Sequence, residues 1–292
     1  PTAETVHTVV EAAKLAFADR EAWYGDDAPP GVLADLLAPE YAARRRALIG
    51  AEASWELRPG SPGGRTPALP TKAAPGGVRG DGVSALGLGE PTIAETGRTR
   101  GDTVHVDVVD AAGNMVSATP SGAWLQSSPT IPALGFCLGT RAQMTWLEEG
   151  LPSSLVPGKR PRTTLSPTLA LRDGEPVLAF GTPGGDQQDQ WQLCFWLAHT
   201  AGGLDLQAAI DSPAWHSTAF PSSFAPRSWA PGGMVAEDRL GAEVLEELRR
   251  RGHAVTVAGG WTLGRMCAVG RGGGMLRAAA DRRSGYGGAA AF

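Results

Sequence analysis

The sequence predicts an α+β fold in which helices pack on antiparallel sheet. Near the start of the chain, apolar residues recur at helical spacing. From residue 103 onward, short β-branched runs alternate with turn signals and further helical segments. The 292 residues are 42% hydrophobic, which is enough for a sizeable core in one large or two smaller domains.

The first predicted element is a helix over 4–24, which ends before Gly25-Asp26. Its apolar face consists of Val6, Val9, Val10, Ala13 and Phe17. A second helix is predicted over 35–49, broken near Pro39. Closely spaced Gly and Pro residues then fill the stretch 54–102, which predicts a long, flexible linker.

After this linker the chain alternates between hairpins and helices. Strands are predicted over 103–110 and 115–119, joined by an Ala-Gly-Asn turn, and over 165–171 and 176–180, joined by an Asp-Gly turn. Helices are predicted over 187–199, 204–211 and 240–251. Three further strands are predicted over 254–258, 265–269 and 274–279.

Composition and charge exclude several function classes. Lys plus Arg is 26 and Asp plus Glu is 30, a net charge of −4 without a basic block, so nucleic acid is not an expected partner. There is no apolar run of transmembrane length, so no membrane partner is expected. Three widely spaced cysteines and five unpaired histidines predict no disulfide framework, metal site or cofactor. With no sign of disulfides, the cytoplasm is the default location.

Thr103 is the first candidate for chemistry, because it begins a strand directly after the flexible stretch. Cleavage of the Asp102–Thr103 peptide bond would give Thr103 a free α-amine. An α-amine has a pKa of roughly 7.7–8.0, so it can serve as the base that a weakly nucleophilic hydroxyl needs. Without cleavage, Thr103 is only a β-branched residue that opens a strand.

Two further segments are candidates for substrate binding. The run Gly181-Thr-Pro-Gly-Gly-Asp186 links a strand to a helix, and its backbone N–H groups could form an oxyanion hole. The run 158–167 places Thr163 and Thr164 beside three cations, where they could hold a carboxylate. Taken alone, the first pattern is better explained by an ordinary strand–turn–helix connection, and a solvated basic turn accounts equally well for the second.

These three motifs occur together, in this order, in the γ-glutamyltranspeptidase family of N-terminal-nucleophile hydrolases, which the chain resembles. The matching residues are 101–114, Thr163-Thr-Leu-Ser-Pro-Thr168, Gly181-Thr-Pro-Gly-Gly185, the helix ending 18–26 and the tail 281–286. The resemblance implies a four-layer αββα sandwich and a proenzyme that cuts itself before the threonine. Residues 1–102 would then be the end of the large subunit and 103–292 the small catalytic subunit. The fold is expected to be partial, because the family's large subunit is much longer than 102 residues, and the family's carboxylate-binding Arg is expected in the part that precedes this chain.

The resemblance also implies roles for individual residues. Thr103 matches the nucleophile and its freed amine the base, while Ser121 matches an assisting hydroxyl. Gly184 and Gly185 match the oxyanion-hole glycines. Thr163 and Thr164 match the hydroxyl pair that grips the substrate carboxylate.

Two departures bear on the substrate. Ala123, followed by Trp124, stands where classical transpeptidases carry Asn. Trp146, three positions past the residue matching Gln143, replaces the Asp that pairs with the glutamyl α-amine. Because a desolvated ammonium needs an acidic or polar partner, recognition of a γ-glutamyl group should be weak. The two tryptophans would also narrow the pocket.

The surrounding segments 120–128 and 185–191 are similar to the branch that contains oxamate amidohydrolase. The leading hypothesis is therefore a self-processing threonine amidohydrolase acting on a small amide that carries a carboxylate. The alternatives are a γ-glutamyltransferase or glutathione hydrolase, and an unprocessed, non-catalytic relic of the fold. The expected partners are the small-molecule amide and the two subunits of one precursor; whether processed heterodimers form a homo-oligomer is left open.

Overall fold

The computed structural model describes residues 1–71, 103–122, 128–224, 227, 229–283 and 287–290. The helices are α1 (Ala3–Trp23), α2 (Val32–Leu36), α3 (Pro39–Arg46), α4 (Gln188–Thr200), α5 (Leu206–Asp211) and α6 (Ala242–Arg250). The strands are β1 (Val106–Val109), β2 (Met115–Ala118), β3 (Thr130–Ile131), β4 (Phe136–Cys137), β5 (Thr168–Arg172), β6 (Glu175–Gly181), β7 (Trp215–Ser217), β8 (Gly233–Glu237), β9 (Ala254–Ala258), β10 (Cys267–Gly272) and β11 (Met275–Ala280). None of these described helices is long and apolar enough to span a bilayer.

Helix α1 confirms the first predicted element. It begins after Thr2, whose side chain accepts a hydrogen bond from the Thr5 N–H, a typical N-cap. Val6 and Val10 are buried in a cluster with Leu245 and Leu248 of α6 and with residues of β7 and β8. Two turns further along, Phe17 stacks on Phe220 with the ring centroids 3.9 Å apart. Helix α1 therefore lies in the interior and contacts residues that follow position 103.

The predicted second helix is two short helices. Helix α2 begins at Val32, earlier than expected, and α3 begins with Pro39 at its first position, where a proline is tolerated because no N–H partner is required. The break near Pro39 is confirmed, and the boundaries at both ends differ from those predicted.

The central sheet has the strand order β11-β10-β6-β5 and is antiparallel throughout. Alternation along β6 defines its two faces. Leu178 and Phe180 pack with Trp191 and Phe195 of α4. Gly181 faces the opposite side and contacts the β1–β2 hairpin. Helices, sheet and hairpin are thus three successive layers, and the predicted α+β class is confirmed.

A second sheet, β7-β8-β9, lies beneath α1 and α6. Strand β9 was predicted, but β7 and β8 were not. Every residue of β8 is buried, and it pairs in parallel with β9. Because a strand buried on both faces has no alternating polar positions, it lacks the period-two pattern by which β1 and β2 are predicted.

The predicted linker 54–102 lies largely outside the described residues, which end at 71 and resume at 103. Its first part is held against neighbouring elements. The Trp55 Nε1 donates to the Gly252 carbonyl (3.0 Å), the Gly60 N–H donates to Asp19 Oδ1 (2.6 Å), and the Trp23 Nε1 donates to the Gly60 carbonyl (3.0 Å). Over 54–71, frequent Gly and Pro therefore coincide with fixed contacts.

Candidate active site

The hydroxyls of Thr103 and Ser121 lie in hydrogen-bond contact, with 2.6 Å between Thr103 Oγ1 and Ser121 Oγ. The hairpin register explains the contact. Val106 pairs with Ala118, and the same register continued outward sets Thr103 opposite Ser121. The Val104 N–H donates to the Pro120 carbonyl at 3.1 Å, which extends the ladder to this end. Asp102 and Trp124 lie outside the described residues.

His105 fixes this end of the hairpin to the central sheet. Its ring is fully buried, with Nδ1 2.7 Å from Thr119 Oγ1 and Nε2 2.8 Å from Asp107 Oδ2. A Cβ atom at Gly181 would lie 2.2 Å from His105 Cε1, so only glycine fits there. Because Gly181 ends β6 and opens the glycine-rich loop, His105 joins the strand of Thr103 to that loop.

The loop itself needs glycine at two consecutive positions. Gly184 has φ 143° and Gly185 has φ 55°, backbone conformations that residues with a Cβ rarely adopt. A Cβ at Gly184 would also lie 2.6 Å from Trp191 Cζ3. Both glycines are buried and lie a few residues before α4, which begins at Gln188 and whose N terminus adds positive potential. This arrangement can stabilise a developing negative charge.

A buried ionic cluster adjoins the loop; we call Arg20, Glu21, Arg162, Asp186 and Ser223 the α1 cluster. Asp186 follows Gly185 directly and accepts from Arg20 Nη1 at 2.6 Å. Burial disfavours ionisation of Asp186, but Arg20 and Arg162 outweigh it and hold the pKa of its carboxyl below the usual value. The residue directly after the two glycines is therefore a stable carboxylate.

Thr163 and Thr164 differ in their surroundings. Thr163 is exposed, and its Oγ1 accepts from the Leu165 N–H at 3.1 Å. Thr164 is buried. The preceding residue, Arg162, joins the α1 cluster by donating to Ser223 Oγ at 2.8 Å and to Glu21 Oε1 at 3.0 Å. The structure thus anchors this segment beside the loop through Arg162.

Gln143 and Trp146 share one partner, Arg227. The Arg227 Nη2 donates to the carbonyl of Gln143 at 2.9 Å and to that of Thr145 at 2.7 Å. Its guanidinium lies 4.2 Å from the ring centroid of Trp146, which is buried. Burial lowers the pKa of Arg227 to about 10, so it is a cation at neutral pH. A positive charge therefore covers the Trp146 ring.

Several of these residues carried no role in the sequence-based prediction: Arg20, His105, Asp186, Ser223 and Arg227. For Asp186, the signal available was its position next to Gly185. Arg20 and Asp186 are 166 positions apart, and nothing in the local pattern of either segment pairs them. Among the described residues, no group of three His, Cys, Asp or Glu side chains could hold a metal ion.

A family model and several curated relatives match this chain. The chain matches the family model described as Gamma-glutamyltranspeptidase over residues 1–291. Among curated relatives, the oxamate amidohydrolase proenzyme of Klebsiella pneumoniae is 31% identical over 97% of this chain and 46% of its own length. The glutathione hydrolase proenzyme of Pseudomonas sp. (strain A14) is 29% identical over 76% of this chain and 35% of its own length. The chain thus spans less than half the length of these relatives.

Solved structures agree with the fold. A structure of LmbA2991HD is 55% identical with a TM-score of 0.85, covering 100% of this chain and 49% of that one. Cephalosporin acylase from Bacillus halodurans is 25% identical with a TM-score of 0.73, covering 100% of this chain and 46% of that one. These similarities confirm the expected N-terminal-nucleophile hydrolase type of fold, of which this chain is a part.

Proposed function

The chain belongs to the γ-glutamyltranspeptidase family, and on that premise we propose that the full-length protein is a self-cleaving threonine amidohydrolase. The 2.6 Å contact between the Thr103 and Ser121 hydroxyls carries the proposal. It sets a hydroxyl pair at the open end of the β1–β2 hairpin, directly after the bond between Asp102 and Thr103 that would be cut. Residues 1–102 and 103–292 are then the two fragments, which agrees with relatives that are named proenzymes.

The chemistry follows from the freed N terminus. The α-amine of Thr103 takes the proton from Oγ1 as that oxygen attacks the amide carbonyl. The same proton passes to the leaving amine as the tetrahedral intermediate collapses to an ester on Thr103. Water, deprotonated by the amine, then hydrolyses the ester and restores the hydroxyl. The Ser121 hydroxyl, 2.6 Å from Oγ1, can donate a hydrogen bond to that oxygen as it loses its proton.

We assign the oxyanion to the backbone N–H groups of Gly184 and Gly185. The positive φ values of both glycines and the tight packing of Gly184 on Trp191 support this, because a rigid pair of donors needs no reorganisation when charge develops. Loss of one such donor costs about 10²–10³ in kcat in comparable sites. The hydroxyls of Thr163 and Thr164 are assigned to the substrate carboxylate.

The proposed substrate is a small amide that carries a carboxylate, such as oxamate. Trp146, covered by the cationic Arg227, is the residue that the resemblance matches to the ammonium-binding carboxylate of classical transpeptidases. A guanidinium there repels an α-ammonium and tolerates an anion. In this proposal Gln143, Trp146 and Trp124 line the substrate pocket. The oxamate amidohydrolase among the relatives is consistent with this choice.

The deciding experiment combines mass and activity. Intact-mass measurement of the purified full-length protein should give a fragment that begins at Thr103, whereas Thr103→Ala should give a single uncut chain and no turnover. Ser117→Ala is the matched control, because Ser117 lies on the same hairpin and donates to the Phe180 carbonyl (3.3 Å), away from Thr103. An uncut wild-type protein, or activity in Thr103→Ala, would refute the mechanism; the former would identify a non-catalytic relic.

The second candidate is hydrolysis or transfer of γ-glutamyl groups. It is favoured by the glutathione hydrolase relatives, which share the family and the proenzyme character. Turnover of oxamate and of a γ-glutamyl anilide by the processed protein separates the two. Fast anilide turnover with oxamate inert would reverse our ranking.

A further inference from the structure

Asp186 is held from two sides at the end of the glycine loop. Arg20 Nη1 lies 2.6 Å from its Oδ1, and Ser223 donates through its N–H to Oδ2 at 2.8 Å and through its Oγ to Oδ1 at 2.5 Å. The Gln190 side chain also donates to the Asp186 carbonyl at 3.3 Å. All four residues are buried. Asp186 therefore has little freedom to turn, and neither does the peptide that joins it to Gly185.

Arg20 is itself fixed on α1. Its Nε and Nη2 donate to Glu21 Oε1 at 3.0 and 2.8 Å. The guanidinium lies over the rings of Phe17 and Phe220, with 4.5 and 5.1 Å to the centroids. Burial alone would lower the pKa of Arg20, but the carboxylates of Asp186 and Glu21 outweigh it and raise the pKa. The charge that faces Asp186 is thus permanent and immobile.

Arg20 precedes the proposed cleavage site, whereas Gly184, Gly185 and Asp186 follow it. We propose that Arg20 is a positioning residue supplied by the first fragment, which holds the oxyanion glycines of the second fragment in place through its ion pair with Asp186. The inference rests on the proposed function, because it takes these glycines to be the oxyanion donors. Without the ion pair, two adjacent glycines with positive φ would relax to other conformations open to residues that lack a Cβ.

The test measures kcat and KM on the processed full-length protein, normalised to the cut fraction found by mass. Asp186→Asn removes the charge that Arg20 faces while preserving size. We expect kcat to fall at least 10-fold with KM within 3-fold, because the donors matter most in the transition state. Arg20→Met should show a similar loss. The double variant should be no worse than either single variant, since both remove one interaction.

Asp19 provides the matched control. It is one residue before Arg20 on the same helix, is also buried, and is paired with Arg45 at 3.2 Å and with the Gly60 N–H at 2.6 Å. Its partners belong to residues 41–60 rather than to the glycine loop. Asp19→Asn should therefore lower the melting temperature while kcat stays within 2-fold of the wild type.

Arg20→Lys keeps the proposal testable if the other variants fail to fold. Lysine retains the charge but loses the planar fork that contacts Glu21 and Asp186 together, so kcat should lie between those of the wild type and Arg20→Met. A kcat for Asp186→Asn or Arg20→Lys equal to that of Asp19→Asn would overturn the inference. The proposed function would still stand in that case, provided that Thr103→Ala is uncut and inactive.

Discussion

Substitution of Gly181 by alanine tests how the strand of Thr103 is fixed to the central sheet. The new Cβ would lie 2.2 Å from His105 Cε1, whereas carbon atoms pack at about 3.5–4.0 Å. The ring or the strand must therefore move by roughly 1.5 Å to reach that distance. The ring has no free direction, because Thr119 and Asp107 hold both of its nitrogens.

The expected cost follows from these contacts. Overpacking of a tight interior costs about 1–3 kcal/mol, and each hydrogen bond lost by the ring adds about 1 kcal/mol. We expect Gly181→Ala to lower the free energy of unfolding by about 2–4 kcal/mol, as the combination of those terms. Urea denaturation in the Thr103→Ala background measures it, because that chain is expected to stay in one piece.

The control and the double variant isolate the cause. Gly139→Ala places its Cβ in open space and should change stability by less than about 0.5 kcal/mol. In a His105→Ala background the ring is absent, so adding Gly181→Ala should lower the free energy of unfolding by less than about 1 kcal/mol. The difference between this loss and the loss caused by Gly181→Ala with His105 present is the coupling energy of the two residues. Additive effects of the two substitutions would show that the ring is not the obstacle.

Three further outcomes are expected. Gly184→Ala, which sets a Cβ 2.6 Å from Trp191 Cζ3 at φ 143°, should lower kcat by about 10²–10³ in steady-state assays, and wild-type kcat would remove Gly184 from the oxyanion site. Burial lowers the pKa of His216 from 6.5 to about 3. At this histidine the unfolded chain therefore binds one more proton between these values, and the contribution of His216 to stability should fall by about 1.4 kcal/mol per pH unit as the pH drops from 6.5 towards 3. Urea titrations of His216→Phe should show a smaller slope, and an unchanged slope would exclude His216 as its source. Arg283→Met removes an ion pair from each of two buried carboxylates, that of Asp281 at 2.8 Å and that of Glu237 at 2.9 Å, and should cost about 3–5 kcal/mol in the same titration; a loss below 1 kcal/mol would contradict this.

Local patterns predicted much of the fold. The alternation in 103–119 predicted the hairpin, and the Asp-Gly turn predicted the β5–β6 pair, which is formed with Asp173 and Gly174 at positive φ. Strand β8 was not predicted, because its burial on both faces leaves no period of two. Strand β7 has only three residues, too few to show a period of two, and it pairs with β8.

In the candidate site too, residues within one continuous motif were predicted and contacts between distant segments were not. Thr103 and the two glycines were predicted from motifs that are continuous in the chain. The ion pair of Arg20 with Asp186, and the stacking of Arg227 on Trp146, join positions that are 166 and 81 residues apart along the chain. Such contacts arise only from the packing of α1 and the loops around the sheet, so no local pattern could reveal them. Their roles stay predictions until the variants are measured.

If the proposed cleavage before Thr103 takes place, the stack of Phe17 on Phe220 joins residues of two separate fragments. Hydrolysis there would remove the covalent tether between the two aromatic rings but leave their buried surface intact. Denatured mature material would consist of two separate polypeptides, each lacking half of a shared interior. Its renaturation should therefore be second order and fail on dilution, whereas the uncut precursor regains its structure at a rate independent of concentration.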